Sequence, residues 1–122
     1  MIFKRGYMNV VNLFDSEGFE QKKHNESYSY SMKKLASVFG ATKLGFNIEV
    51  MDPKTFSCPY HYHTQEEELV LVLEGEATVR CNGEFRKIKA GDLVFYGIGP
   101  DSVHNMYKIP QNIGPKSGFK SF

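Results

Sequence analysis

Histidines at alternate positions are the feature of the sequence that most directly suggests chemistry. His61 and His63 flank Tyr62, and residues two apart on an extended strand project to the same face. Their Cα atoms would lie about 6.6 Å apart, since a strand rises about 3.3 Å per residue. Two imidazole rings at that separation can converge on one metal ion at about 2.0–2.1 Å. A His-x-His pair alone is weak support for a metal site, because such pairs also occur without a metal.

Two further residues complete a candidate ligand set. Glu68 follows His63 by five residues and begins a predicted strand, so a short loop would fold its carboxylate back toward the two rings. His104 belongs to a later predicted strand and would reach the same ion through the fold. Three imidazoles and one carboxylate suit iron, manganese, nickel, cobalt or zinc, so we expect one divalent transition metal of unassigned identity. An octahedral ion would keep two positions open for a small substrate.

The two cysteines offer a different hypothesis for a metal site. Cys58 precedes His61 by three residues, and Cys81 is the other thiol of the chain. A structural zinc site built on Cys58, His61 and His63 would need a fourth ligand. Regular strand parity predicts instead that Cys58 faces away from the histidines.

The fourth histidine, His24, lies in a charged stretch and is interpreted as a surface residue. Candidate pocket residues are Tyr60, Tyr107, Arg80 and Arg86.

The elements that must position these residues are short strands. Alternating apolar residues predict strands over 28–32, 44–50 and 77–81. Apolar runs and flanking turns predict further strands over 56–63, 68–74, 84–88, 93–96 and 102–107. A further short strand is predicted at 10–14 and a polar loop over 15–27. Asn82-Gly83 predicts a two-residue hairpin turn. No segment predicts a helix, so the expected fold class is all-β, a sandwich or a barrel. The tail after Lys108 offers no long strand.

Two stretches resemble the motifs of the cupin superfamily. Residues 59–75 (PYHYHTQEEELVLVLEG) resemble the first cupin motif, and 90–95 (AGDLVF) with Gly99 and His104 resemble the second. The loop from Gly99 to His104 is two residues longer than is usual. The resemblance covers 44–107, just over half of the chain. It implies a small cupin-type β-barrel, the double-stranded β-helix or jelly roll. It also implies that the metal ligands are His61, His63, Glu68 and His104. The family spacing to Gly75 favours Glu68 over Glu67.

Length and charge limit the classes of function. A chain of 122 residues predicts a single domain, with a poorly defined N-terminal segment 1–27 and the motif-bearing core 44–107. The formal net charge of +1 predicts no binding to nucleic acid or to an anionic membrane. The longest apolar run, 69–73, is too short to span a bilayer. Residues 1–10 lack the apolar segment of a signal peptide, so we expect a cytoplasmic protein with free thiols.

The leading functional hypothesis is a metal-binding cupin enzyme acting on a small oxygenated metabolite. The substrate would be a sugar, keto acid or dicarboxylate, and the reaction isomerisation, decarboxylation or dioxygenation. A non-catalytic ligand-binding or sensor protein is the alternative, because a fold does not imply a function. A third reading is a structural barrel with incidental histidines.

The strand over 68–74 also predicts a partner. If Glu68 faces the interior, so do Val70 and Val72, whereas the leucines between them face outward. An outer face this apolar needs cover, which predicts a homodimer.

Overall fold

The computed structural model describes residues 8–15 and 17–108, and the backbone of 119–121. One short helix is described, α1 (Leu35–Phe39), and a 3-10 turn covers Pro100–Ser102. The described strands are β1 (Glu20–Asn25), β2 (Tyr28–Lys33), β3 (Ile48–Met51), β4 (Glu68–Glu74), β5 (Glu76–Cys81), β6 (Glu84–Lys89), β7 (Leu93–Tyr96), β8 (His104–Tyr107) and β9 (Phe119–Ser121). The expectation of a mostly β protein is therefore confirmed.

The strands form two sheets. The larger has the order β1-β2-β3-β9-β4-β7, and the smaller has the order β6-β5-β8. All neighbouring strands are antiparallel. Two isolated bridges, Phe56 to Tyr107 and His61 to His104, attach the segment before β4 to β8. In the described part of the chain the strands do not close into a complete barrel.

A buried cluster of apolar side chains joins the two sheets. The larger sheet contributes Met51, Val70, Val72 and Tyr96, and the smaller contributes Ala77, Val79, Ile88 and Met106. On β4 the predicted alternation is present, because Val70 and Val72 are 4% and 1% exposed whereas Leu69 is 55% exposed. Glu68 has the same strand parity as the two valines. The start of β4 therefore directs Glu68 toward the interior.

The β5–β6 hairpin forms as predicted. Cys81 pairs with Glu84 across the turn, and both turn residues have positive φ, 48° at Asn82 and 81° at Gly83. These are the angles of a type I′ turn, which Asn-Gly adopts at low cost. Gly75, with φ of 77°, makes the predicted turn that carries the chain from the larger sheet to the smaller.

The N-terminal part differs from the prediction. The strand predicted at 10–14 is wrong, because the Asn12 side chain accepts a hydrogen bond from the Phe14 amide at 2.8 Å and turns the chain. The loop predicted over 15–27 is also wrong, since it contains β1. This strand lies at the edge of the larger sheet with most side chains exposed, so it has no apolar alternation. His24 lies on β1 and is exposed, as predicted.

Three further predictions need correction. The strand predicted from Leu44 begins only at Ile48. Helix α1 was not expected, and it ends at Gly40 in the left-handed conformation. Segment 56–63 is not a strand: bends cover 57–60, and only bridges at Phe56 and His61 pair it. No helix among the described residues is long and apolar enough to cross a membrane.

The tail contributes one short strand. The three residues of β9 lie between β3 and β4 and pair with both. Residues 1–7, 16, 109–118 and 122 lie outside the described residues, and with them most of the tail and the start of the predicted N-terminal segment.

Candidate metal centre

The four predicted ligands converge on one point. His61, His63, Glu68 and His104 each offer a ligand atom, and these atoms all lie within 4.8 Å of one another. Glu68 Oε2 is 3.0 Å from His63 Nε2 and 3.2 Å from His104 Nε2. The ring centroids of His61 and His104 are 4.8 Å apart. The structure thus brings together the residues that spacing and family resemblance selected.

Both sheets supply this cluster. Glu68 begins β4 of the larger sheet, and His104 begins β8 of the smaller sheet. His61 is fixed to His104 by two backbone hydrogen bonds, from the His104 amide at 2.8 Å and from the His61 amide at 3.2 Å. The carbonyl of His63 accepts a hydrogen bond from the Gly99 amide at 2.9 Å. The cluster therefore depends on the packing of the two sheets and on the loop that contains Gly99.

The long loop before His104 does not displace that residue. The loop contains the 3-10 turn Pro100–Ser102, which Gly99 precedes with φ of 106°. That conformation favours glycine. The turn places the Ser102 carbonyl 2.6 Å from His104 Nδ1. His104 is buried, whereas His61 and His63 are half-buried.

Backbone carbonyls orient two of the imidazole rings. His104 Nδ1 lies against the Ser102 carbonyl, and His61 Nδ1 is 2.8 Å from the Pro59 carbonyl. Because a carbonyl oxygen only accepts, each Nδ1 carries hydrogen and donates. This leaves Nε2 as the atom for a metal, and such a contact on the other nitrogen is typical of metal-binding histidines.

The carboxylate at the centre is stabilised in its charged form. The hydrogen bond with His104 lowers the pKa of Glu68, and the charges of the three histidines act in the same direction. Partial burial opposes them without reversing the result. Glu68 is therefore ionised at neutral pH and carries the negative charge that a divalent cation requires.

Cys58 does not face away from the histidines, and the strand-parity prediction for it is wrong. Its Sγ lies 3.4 Å from His61 Nδ1. The bends over 57–60 break the period of two on which the prediction relied. Burial raises the pKa of the Cys58 thiol, which favours the protonated form, a poor metal ligand. Both thiols are free, and neither belongs to the described four-residue group.

Sequence reasoning missed Tyr96, which supports the centre. Its ring stacks on His104 with centroids 3.5 Å apart and planes 5° apart. Tyr96 is also the register partner of Glu68 across the β4–β7 pair. Pairing the two predicted strands in register would have found it. Its hydroxyl is buried and has no hydrogen-bond partner among the described residues.

Sequence reasoning also missed Glu49, a carboxyl on β3. Glu49 lies two residues before Met51, which belongs to the buried cluster between the sheets. Burial, and then the charge of Glu68, raise the pKa of Glu49 to about 7. A polar residue at an inward position of an otherwise apolar strand was the available signal.

The predicted pocket residues have mostly structural contacts. Tyr60 Oη accepts a hydrogen bond from the Gly83 amide at 3.1 Å, and the Arg80 guanidinium lies 4.1 Å from the Tyr60 ring centroid. Tyr107 packs on an aromatic ring 4.9 Å away. Arg86 lines a cleft of about 490 Å³ at β6 and β7. None of these four belongs to the described metal-ligand group.

Three solved structures share the fold. A protein provisionally described as a sugar phosphate isomerase, from Acidithiobacillus ferrooxidans, is 24% identical, with a TM-score of 0.76 over 87% of this chain and 65% of its own. A predicted oxalate decarboxylase from Thermotoga maritima is 22% identical, with a TM-score of 0.72 over 93% and 94%. The polyketide cyclase RemF from Streptomyces resistomycificus is 18% identical, with a TM-score of 0.69 over 94% and 76%.

The family follows from the sequence match. No curated protein matches the chain. At the identities given above, the solved structures show only a common fold. The cupin domain family matches residues 47–108, which is 62 of 122 residues and includes all four residues of the cluster. The chain therefore belongs to the cupin family.

Proposed function

We propose that this cupin is a metal-dependent enzyme acting on a small oxygenated metabolite, with one divalent transition metal held by His61, His63, Glu68 and His104. The observation that carries the proposal is the convergence of four ligand atoms within 4.8 Å. Three imidazoles and an ionised carboxylate fit iron, manganese, nickel, cobalt or zinc. The jelly-roll form of the barrel and a cytoplasmic location belong to the same proposal.

The residues of this chain would prepare the centre in defined ways. Carbonyl contacts fix the rings of His61 and His104, and stacking on Tyr96 holds His104 further. Glu68 supplies negative charge. When bound, the metal would polarise a substrate carbonyl or activate a coordinated water. A substrate with two oxygens, such as a sugar, keto acid or dicarboxylate, matches two open positions on an octahedral ion.

The reaction is isomerisation, decarboxylation or dioxygenation. The similar solved structures bear the names of a sugar phosphate isomerase, an oxalate decarboxylase and a polyketide cyclase. Those names support the substrate class and do not select one reaction. A non-catalytic binding or sensor protein is the alternative. Glu49, a half-buried carboxyl whose pKa is raised by burial and by the charge of Glu68, favours an enzyme, because groups with perturbed pKa values concentrate at catalytic sites.

The metal content of the tag-free protein tests the proposal. We expect close to one metal ion per chain after purification or reconstitution, and loss of the ion in His61→Ala. His24→Ala is the matched control, since His24 is exposed on β1. Absence of metal from the wild type after reconstitution would contradict the proposal. The loaded protein is then assayed with sugar phosphates, keto acids and dicarboxylates, where saturable binding without turnover would favour the sensor alternative.

We also propose that a second copy of the chain covers the outer face of the β4–β7 pair. Leu69, Leu93 and Phe95 are 55%, 63% and 58% exposed there, and Leu69 lies opposite Phe95 in the ladder. β7 ends the larger sheet among the described strands, so two copies can meet along this edge. The patch is apolar enough to favour association.

Light scattering after size exclusion measures the assembly. The wild type is expected at twice the chain mass of 13.9 kDa. The double variant Leu69→Ser, Phe95→Ser is expected to be a monomer. Phe85→Ser is the control, because Phe85 is exposed on β6 of the smaller sheet. A monomeric wild type at micromolar concentration would contradict the dimer.

A further inference from the structure

We propose that Glu49 is the proton-transfer residue of the metal centre, taking a proton from the bound substrate and returning it. This inference rests on the proposed function, since it needs a metal-bound substrate. Nothing in the sequence motifs selects Glu49, which lies on β3, well before the histidine pair. The proposal follows from the face of the sheet that Glu49 occupies, from its electrostatic coupling to Glu68, and from the lack of a hydrogen-bond or ion-pair partner within the described part of the chain.

Two observations place Glu49 on the inner face of the larger sheet. It lies two residues before Met51, which packs in the cluster between the sheets, so strand parity gives both the same face. In addition, Ser121 of the central strand β9 pairs with Glu49 on one neighbouring strand and with Val72 on the other. Register partners share a face, and Val72 is fully buried in the interior. Glu68 has the parity of Val72 and lies on that face too.

Electrostatic coupling links Glu49 to a group of the metal centre and to two groups beside it. The charge of Glu68 contributes to the raised pKa of Glu49, after burial. The pKa of Cys58, whose Sγ is 3.4 Å from His61, is raised by burial and, more weakly, by Glu68 and Glu49. On β2, burial and then Glu49 raise the pKa of Tyr30. The register partners of Glu49, Met32 and Ser121, do not titrate.

No contact among the described residues accounts for the half-buried position of Glu49. Among the described residues, no hydrogen bond or ion pair joins its carboxyl to another group, whereas Asp52 bonds to Ser29 and Glu68 to two histidines. A half-buried carboxyl that has no partner in the described part of the chain destabilises the fold when it ionises, which favours a functional reason for keeping it. A cation bound at the four-residue cluster would be the missing partner.

The proposed step moves one proton and consumes no other reactant. An O–H or C–H bond of the substrate breaks beside its polarised carbonyl, the electron pair stays on the substrate, and the proton moves to a carboxylate oxygen of Glu49. The same carboxyl then returns the proton to a neighbouring carbon or oxygen. The pKa of Glu49 is about 7 in the metal-free protein. A bound cation would lower this pKa and a bound anionic substrate would raise it again, so the carboxyl can populate both forms near neutral pH, as a group that accepts and donates must.

Carbon-13 NMR of protein labelled in its glutamate side chains tests the placement without a substrate. The signal of Glu49 is the one that Glu49→Gln removes. In the metal-free protein we expect it to titrate with a pKa of about 7. One equivalent of Zn²⁺ should lower that pKa to about 6 or less, since a nearby opposite charge favours the ionised form. Glu20, exposed on β1, should keep its titration curve and is the internal control.

The outcomes separate the two proposals. If zinc binds to the wild type and the titration of Glu49 does not move, Glu49 lies outside the centre and the inference is wrong, while the metal site stands. If zinc does not bind to the wild type, the proposed function fails and the role of Glu49 fails with it. Glu49→Gln keeps all four ligands and should still bind zinc, as tightly as the wild type at pH 5 and about tenfold more weakly at pH 8, because the coupling that lowers the pKa of Glu49 acts equally on zinc affinity.

Calorimetry with oxalate tests the proton role. Oxalate is a dianion that chelates metals through two oxygens, and its charge should raise the pKa of a facing carboxyl. Binding to the zinc-loaded wild type at pH 6, measured in two buffers of different ionisation enthalpy, is expected to take up a fraction of a proton. Glu49→Gln is expected to bind oxalate without that uptake, and Glu20→Gln to behave as wild type. Equal proton uptake in the wild type and Glu49→Gln would overturn the proposal.

Discussion

Strand β4 and segment 56–63 both supply candidate metal ligands, and the chain holds them by different means. On β4, Glu68 takes its position from a regular ladder and from the burial of Val70 and Val72. Segment 56–63 has no ladder of its own. Single contacts fix it: the Ser57 amide donates to the Met106 carbonyl at 2.8 Å, and Ser57 Oγ accepts from the Met106 amide at 3.0 Å.

Because of this difference, substitutions in the two regions should affect the stability of the fold and the affinity for metal to different extents. Substitutions in the core beneath β4 should lower the free energy of unfolding more than they lower metal affinity, because many contacts together position Glu68. Changes in segment 56–63 should weaken the site relative to the fold, because few contacts position its histidines. The predictions below test this separation.

The largest effect is expected at the ligand that β4 supplies. Glu68→Gln keeps the size of the side chain and removes its charge, so the zinc dissociation constant should rise by more than about 100-fold, beyond the loss typical of residues that only orient a ligand. Glu67→Gln, one residue earlier in the exposed loop, should leave zinc affinity unchanged. Competition with a chromophoric chelator measures both. Equal losses of zinc affinity in the two variants would show that Glu68 is not a ligand.

The next effect concerns β3, which belongs to the same regular sheet. The pKa of Glu49 is raised to about 7 in the folded protein, so its ionisation destabilises the metal-free fold as pH rises from about 4.5 to 7. Glu49→Gln should therefore stabilise the metal-free protein by about 2–3 kcal/mol at pH 8 and by little at pH 4.5. Urea unfolding at the two pH values measures this. A variant less stable than wild type at pH 8 would contradict it.

A core substitution beneath β4 should affect mainly stability. Val72→Ala removes two buried methyl groups between the sheets and should lower the free energy of unfolding by about 2 kcal/mol. Zinc affinity of the folded variant should change less than about tenfold. Val38→Ala on the exposed side of α1 is the control and should cost about 0.5 kcal/mol or less. If Val72→Ala lost more free energy of zinc binding than of unfolding, the proposed difference between β4 and segment 56–63 would be wrong.

The smallest change in stability is expected in segment 56–63. Ser57→Ala deletes the acceptor of the Met106 amide and should cost about 1 kcal/mol. Because Ser57 helps to position His61 and His63, zinc affinity should nevertheless fall about tenfold, as for other residues that support a ligand. Ser57→Thr keeps the hydroxyl and should restore most of the affinity. Unchanged zinc binding in Ser57→Ala would show that this contact does not support the site.

Regular strands were predictable from the sequence because alternation reports burial. The bounds of β4, the hairpin turn at Asn82-Gly83 and the inward side of Val70 and Val72 all agree with that pattern. β1 was missed because an exposed edge strand of polar residues has no alternation to detect. Helix α1 was missed because five residues are too few for a helical period to appear.

The convergence of the four candidate residues was predictable from the sequence, and their surroundings were not. Motif spacing selected the four residues that the structure brings together. The side that Cys58 faces was wrong because the bends over 57–60 interrupt the strand. Tyr96 stacks on His104, and Glu49 shares the inner face of the larger sheet with Glu68, through strand pairings that arise from tertiary packing.

X-ray absorption spectroscopy of the zinc-loaded protein is the most direct test of the central claim, that three histidines and Glu68 hold the metal. The account predicts nitrogen and oxygen neighbours at about 2.0–2.1 Å, with the outer-shell scattering of three imidazoles. Glu68→Gln should not reproduce that spectrum. A sulfur neighbour at about 2.3 Å would show that Cys58 binds the metal. Scattering from fewer than three imidazoles would show that at least one of the three histidines is not a ligand. Either result would contradict the account.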